Sequence, residues 1–224
     1  MKSSIFVKTS AMGDIKIIIL DFDGTLGDTT SVIVRTTQEA IKELGLPSRT
    51  DEECASMIGL RLVEIPPVLF PGCDVDPNLY ASTYRRIFHT LNTDGAVELY
   101  PNVTETLEEL KKRGYILTIA SSRSRSTLIE YVEKLGLSSI ITYVLGADDV
   151  KEGKPSPEPV NKTLEKYGLK PEEALVVGDT TFDIQMGKNA GASTCGVTYG
   201  NGSRESMADA DHLIDDFSRL LCII

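Results

Sequence analysis

The stretch IKIIILDFDGTL, residues 15–26, decides the fold. Ile15 to Leu20 is a short, continuous, mostly β-branched run, the pattern of a strand buried on both faces. It runs straight into Asp21-Phe22-Asp23-Gly24-Thr25, so two carboxylates and a glycine stand where the strand ends. Working outward, Ser31–Leu44 has helical apolar spacing and is closed by Gly45 and Pro47. After Tyr100 the chain alternates. Val103–Arg113 predicts a helix, Ile116–Ala120 a strand, Thr127–Leu135 a helix and Tyr143–Leu145 a strand. Pro157–Tyr167 predicts a helix, Ala174–Val177 a strand, Phe182–Ala190 a helix and Ser193–Val197 a strand. The tail, HLIDDFSRLL, predicts a last strand and helix. Strands separated by helices of about ten residues imply right-handed βαβ units and a parallel sheet. The expected fold is therefore α/β, a Rossmann-like parallel sheet with helices on both faces.

The alternation is interrupted once. Between Asp28 and Tyr100 no convincing buried strand occurs, while Asp51–Ile65 and Pro77–Leu91 carry helix-compatible spacing. Pro66-Pro67 and Pro71-Gly72 mark turns between them. Residues 28–100 are expected to be an inserted α-helical cap, with residues 1–27 and 101–224 forming the sheet domain. The insertion follows the first strand, which makes it a candidate lid.

Ligands of open parallel sheets bind beyond the carboxyl ends of the strands. Four predicted strands run into polar residues there: Asp21 to Thr25, Ser121-Ser122-Arg123, Asp148-Asp149 with Lys154 shortly after, and Asp179 to Asp183. Several carboxylates gathered on one rim raise one another's pKa values, and a bound divalent cation relieves this. An all-oxygen set suits Mg²⁺ better than zinc. Of Asp21 and Asp23, one carboxylate can attack as a nucleophile while the other protonates the leaving oxygen and then activates water. Gly24 permits a sharp turn close to a ligand. Ser121 and nearby helix-start N–H groups offer donors to phosphate oxygens, and Lys154 offers a positive charge to the transferring group. Asp179 and Asp183, four apart, suit a metal.

These residues resemble the four motifs of the haloacid dehalogenase-like superfamily. Asp-Phe-Asp-Gly-Thr-Leu at 21–26 is similar to its first motif, DxDGT; Ser121 to its second; Lys154 in Gly-Lys-Pro-Ser-Pro-Glu-Pro to its third; and Gly-Asp-Thr-Thr-Phe-Asp at 178–183 to its fourth, GDxxxD. Order and spacing agree over essentially the whole chain after Ile15. The resemblance implies a phosphorylated nucleophile at Asp21 and a general acid/base at Asp23. Ser121 and Lys154 hold the phosphoryl group, with Gly24, Thr25, Ser122 and Arg123 beside the substrate. It further implies Mg²⁺ held by Asp21, the Asp23 carbonyl and Asp179, with Asp183 in support, and a cap that opens for substrate and closes against water. Leu99 to Val103 and the Gly-Lys-Pro segment look most like the phosphoglycolate-phosphatase-like and β-phosphoglucomutase-like branch. Two departures stand out. Asn102 replaces a frequent glycine, which asparagine tolerates because it too adopts αL. Ser122-Arg123 stands where many relatives carry Asn-Lys.

Each residue has a plainer reading. A lone DxD is a solvated turn, a lone Ser121 a helix cap, a lone Lys154 a surface lysine, and Asp183 an acid complementing a helix dipole. Together, after buried strands, the catalytic reading prevails. In the cap, Arg61 is the first choice to meet a substrate anion, ahead of Arg85 and Arg86; Thr29 and Thr30 sit where the cap begins. His89 and His212 have no metal-ligand partners in sequence and receive no catalytic role.

Composition narrows the partners. Of 224 residues, 33 are acidic and 23 basic, a net charge of −10, which disfavours a nucleic-acid or membrane-surface binder. No apolar run approaches the roughly 20 residues of a membrane span, no secretory signal is read at the start, and the four scattered cysteines suit the reducing cytoplasm. The expectation is a Mg²⁺-dependent phosphatase of a small phosphorylated metabolite such as phosphoglycolate. A phosphosugar mutase or inorganic pyrophosphatase on the same scaffold, or an idle phosphate-binding module, are the alternatives. Oligomeric state is not legible.

Overall fold

The computed structural model describes residues 14–93 and 95–224. Residues 1–13, which include nearly all of the stretch read for a secretory signal and the opening of the expected sheet domain, lie outside them.

Six strands form one wholly parallel sheet: β1 (Ile17–Leu20), β4 (Ile116–Ala120), β5 (Tyr143–Leu145), β6 (Ala174–Gly178), β7 (Ser193–Val197) and β8 (His212–Ile214). Their spatial order is β5-β4-β1-β6-β7-β8. β1 lies at the centre, in register with both neighbours: Ile19 pairs with Thr118 on one side and Val176 on the other. All four β1 residues are fully buried, which is why the run is continuous rather than alternating.

Helices cover both faces, and the period of two along the strands assigns each side chain to one of them. Ile18, Leu20, Leu117, Ile119, Leu175 and Val177 pack beneath α5 (Val103–Lys112) and α6 (Arg125–Lys134), through Leu107, Leu110, Leu128 and Val132. Ile17, Ile19, Ala174 and Val176 pack on the opposite face against α7 (Glu158–Tyr167) and α8 (Thr181–Ala190), through Val160, Leu164 and Met186. Each fully buried Leu, Ile, Val or Met side chain among these contributes about 1.5–3 kcal/mol of transfer free energy. Asn102 begins α5 at φ +64°, the left-handed conformation expected of it, and its amide donates to Asp216 at 2.8 Å.

The interruption is helical, with two corrections. α1 (Thr30–Glu43) and α4 (Pro77–Leu91) follow the sequence reading. The helix expected over Asp51–Ile65 is instead broken into α2 (Asp51–Ala55), a 3₁₀ turn at Leu62–Glu64 and α3 (Ile65–Leu69). Gly59, at φ +104°, lies in the break. These helices own a separate cluster built from Ile41, Cys54, Ile65, Leu69, Phe70, Tyr80 and Ile87. The second correction concerns strands: two residues where the chain leaves the sheet, β2 (Gly27–Asp28), pair antiparallel with two where it returns, β3 (Glu98–Leu99). At the other end the tail beyond β8 forms a 3₁₀ helix, Phe217–Cys222, rather than an α-helix.

Candidate active site

β4, β1 and β6 are neighbours, so their carboxyl ends present Ser121, Asp21 and Asp179 side by side. Asp21 is 4% exposed and its N–H donates to the Val177 carbonyl at 2.9 Å, which locks it to the end of the adjacent strand. Asp179 is fully buried, and Asp183 reaches the same place from the first turn of α8. Carboxylate oxygens of Asp21, Asp179 and Asp183 all lie within 4.8 Å of one another. Lys154, on the loop after β5, donates from Nζ to Asp21 Oδ1 and to Asp183 Oδ1, each at 2.5 Å.

Glycines make this density possible. A Cβ on Gly24, which sits at φ +84°, would fall 2.1 Å from Asp179 Oδ2. One on Gly178 would fall 2.2 Å from the Asp183 Cγ. The remaining Asp179 and Asp183 oxygens are tied down. Thr25 Oγ1 donates to Asp179 Oδ1 at 3.1 Å, while the Asn201 backbone N–H and Nδ2 donate to Oδ2 at 2.7 and 2.9 Å. Thr180 donates to Asp183 Oδ2 from its N–H and its hydroxyl.

Three buried carboxylates stand around one ammonium, which bonds two of them, and their pKa values are displaced accordingly. Burial raises the Asp21 carboxyl well above its ordinary range despite the opposing pull of Lys154, with Asp183 and Asp179 adding to the rise. Burial and then Asp183 lift Asp179 to about 6. Burial lowers the Lys154 pKa, but Asp183 and Asp21 outweigh it and hold the ammonium above its usual value. A buried all-oxygen set with surplus negative charge fits a hard divalent cation.

Asp23 faces elsewhere. Its carboxylate is outside the three-acid cluster and is gripped by Arg123, through Nε at 3.1 and 3.3 Å and NH2 at 2.7 Å. The guanidinium is itself sandwiched, 4.7 Å from the Phe88 ring centre and 5.2 Å from that of Tyr131. Burial works against its charge, but Asp23 more than compensates and raises its pKa.

Asp21, Asp23 and Ser121 open into a cavity of about 510 Å³ whose far wall is built from the helices between Asp28 and Glu98. Ser122 and Arg123 line it as the sequence suggested, although the Ser122 hydroxyl is spent on the Gly59 carbonyl at 2.5 Å. Gly24 and Thr25 act on the acidic cluster rather than facing the cavity. Arg61 lines the cavity too, but Glu64 holds its Nε and NH2 and the Lys151 carbonyl takes NH1 at 2.8 Å, so it is not a free cation. Arg86 points to Glu43. Thr30 donates to Asn201 Oδ1, and Thr29, at the cap position of α1, makes no side-chain cap bond.

Asn201 and the aromatic pair around Arg123 escaped the sequence reading. Asn201 follows β7 in Thr-Tyr-Gly-Asn-Gly, a fifth strand end on the same rim, and that position was its signal. Phe88 and Tyr131 left none, because an aromatic on an apolar helix face reads as core.

Fold and strand-end chemistry together define a hydrolase class, and this chain belongs to it: the family model for haloacid dehalogenase-like hydrolases matches residues 18–197. Among curated relatives, a phosphoglycolate phosphatase of Vibrio parahaemolyticus is 32% identical over 221 residues, covering 94% of this chain and 96% of its own. A pyrophosphatase PpaX of Bacillus velezensis is 33% identical over 208 residues, covering 92% and 94%. The crystal structure of a predicted phosphoglycolate phosphatase from Haemophilus somnus matches 95% of this chain and 99% of its own, with a TM-score of 0.82 at 28% identity.

Proposed function

We propose that this protein is a Mg²⁺-dependent phosphatase that hydrolyses a small phosphorylated metabolite through an aspartyl-phosphate. One observation carries the reading: Asp21 joins the buried cluster through Oδ1, bonded to Lys154, while it and Asp23 both border the same cavity. Asp21 attacks phosphorus and the bond to the leaving oxygen breaks, with Asp23 delivering the proton that oxygen needs. Asp23 then takes a proton from water, the water oxygen attacks phosphorus, and phosphate leaves Asp21. Ser121 and Lys154 steady the phosphoryl oxygens. Asp21, Asp179 and the Asp23 carbonyl would hold Mg²⁺, with Asp183 in support. When bound, the cation supplies charge neutralisation for the incoming phosphoryl group.

Residues 28–100 act in this proposal as a cap domain over the sheet domain, a division supported by the separate apolar cluster of the helices. The relatives' names favour phosphoglycolate or pyrophosphate chemistry, and pyrophosphate differs only in its leaving group. The cytoplasm is the proposed location: all four cysteines are free, and no helix among the described residues is long and apolar enough to cross a membrane.

The test is phosphate release from acetyl phosphate and p-nitrophenyl phosphate with Mg²⁺. Asp21→Asn is expected to abolish it. Undiminished release by that variant overturns the mechanism.

A further inference from the structure

We infer that Arg85 and His89, on α4, form the subsite that receives a second anionic group carried by the alcohol half of the substrate. The inference rests on the phosphatase reading above and names the substrate class of the same site. That class is a phosphomonoester with a carboxylate or a further phosphate on its leaving group.

A second anion entering this cavity needs a cation, since the chain carries a net charge of −10 and an unpaired charge loses its hydration without return. Three guanidiniums border the cavity. Arg61 is held by Glu64 and the Lys151 carbonyl, and Arg123 is forked on Asp23. Arg85 has no hydrogen-bond or ion-pair partner among the described residues. Its neighbour Arg86, by contrast, is taken by Glu43. The unspent charge of α4 is therefore the one that faces the cavity.

His89 stands four residues beyond Arg85, on the same helix face, and lines the cavity too. An imidazole carries an N–H in either protonation state, so it donates beside the guanidinium whatever its charge. The mount is firm. Tyr84 and Phe88, which immediately precede the two, are buried in the larger apolar cluster. Phe88 also lies 4.7 Å from the Arg123 guanidinium that grips Asp23, so the pair is one packed contact from the group that serves the leaving oxygen. A charge on the leaving group meets Arg85 and His89; the charges of the phosphoryl group meet Ser121 and Lys154.

The rest of the lining suits a polar guest. Thr37 of α1 and Ser126 and Thr127 of α6 bring hydroxyls to it. Asp148, its one carboxylate besides Asp21 and Asp23 among the described residues, accepts from the Arg125 N–H at 2.7 Å and forms no ion pair with Arg85.

The experiment compares kcat/KM for phosphoglycolate, ethylene glycol bisphosphate and 2-hydroxyethyl phosphate, whose leaving group is neutral. Acetyl phosphate reports the chemistry common to all. At least one of the first two is expected to exceed the hydroxyethyl ester by about tenfold or more, and whichever does so identifies the second anion as carboxylate or phosphate. Arg85→Gln is expected to cut that ratio about tenfold, chiefly through KM, and His89→Ala to lower it as well. Arg85→Lys is expected to retain part of it, and Arg86→Gln, which removes an equal charge from the same helix, to leave it unchanged. Acetyl phosphate turnover is expected to stay constant in all four variants. A ratio unmoved by Arg85→Gln or by His89→Ala, or lowered as much by Arg86→Gln, overturns the inference. So does a parent that hydrolyses acetyl phosphate and treats the hydroxyethyl ester as well as either doubly anionic one, which leaves the phosphatase reading standing. Failure to release phosphate from all four compounds overturns the phosphatase reading itself.

Discussion

Replacing Lys154 by methionine tests the electrostatics of the cluster directly. The ammonium is 2% exposed and bridges Asp21 and Asp183, with a third carboxylate, Asp179, within 4.8 Å of their oxygens. Removing one partner of a buried ionic group, rather than both, costs about 3–5 kcal/mol because the remaining charge is uncompensated. For a chain of this size each kcal/mol is worth about 2–4 °C, so Lys154→Met is expected to melt roughly 6–20 °C below the parent. The assay is thermal unfolding by circular dichroism at pH 7.5 with a chelator present. The deficit is expected to shrink at pH 5. The folded-state values of Asp21 and Asp179 lie above the ordinary 3.8, with Asp179 lifted to about 6, so the folded protein binds more protons than the unfolded chain below that point. These groups therefore weaken the fold as pH rises through their folded values and cease to do so when acid protonates them. Added Mg²⁺ is expected to narrow the deficit at pH 7.5 as well. A variant melting within about 2 °C of the parent at pH 7.5 in chelator, under 1 kcal/mol, refutes the view that Lys154 neutralises the cluster.

Other perturbations read neighbouring parts of the site. Gly24→Ala puts a Cβ into Asp179 at φ +84°; the backbone conformation alone costs about 1–2 kcal/mol, and both melting temperature and phosphate release are expected to fall. Asn201→Ala removes a donor from Asp179 Oδ2, and the Mg²⁺ concentration for half-maximal activity is expected to rise about tenfold or more, measured by titrating the metal. Arg123→Lys replaces a planar fork with a point donor on Asp23; kcat is expected to drop about tenfold or more on alkyl phosphates and less on p-nitrophenyl phosphate, whose leaving group needs less protonation. Equal losses on both esters would sink the assignment of Asp23 as the proton donor. In metal-free parent protein, stability contributed by Asp179 is expected to decline as pH rises from about 4 to about 6, visible in urea unfolding midpoints.

The sheet was legible because burial on both faces leaves a conspicuous trace: IIIL and ALVV admit few other readings, and each leads into an aspartate within two residues. Strand order then brings Asp21, Ser121, Lys154, Asp179 and Asp183 to one rim. The region between Asp28 and Glu98 was harder. Two of its helices are only five residues long, so apolar spacing over Asp51–Ile65 suggested a single helix where the chain breaks around Gly59 into α2, a 3₁₀ turn and α3; Pro66 and Pro67, read as a turn between helices, instead lie in the first turn of α3. The pairing of Gly27–Asp28 with Glu98–Leu99 spans two residues a side, too few for any periodicity to register. Arg61 illustrates a different limit: its loop position after Gly59 was readable, but not that Glu64, three residues on, occupies its guanidinium. Arg123 was recognised as a charge near the site, while its real partner, Asp23, lies a hundred residues away.

The two-residue ribbon also governs how the molecule can change. Because Gly27 pairs with Leu99 and Asp28 with Glu98, departure and return of the long excursion stand side by side, about 5 Å apart. Topologically, everything beyond them is the loop of a hairpin whose stem is already built. A segment grafted onto that stem can be shortened, lengthened or exchanged without altering the order of a single strand in the sheet. The residues between the ribbon's two strands, which line one wall of the cavity, are thus free to diverge, while the strand ends that carry Asp21, Ser121 and Asp179 are held by the register of the sheet.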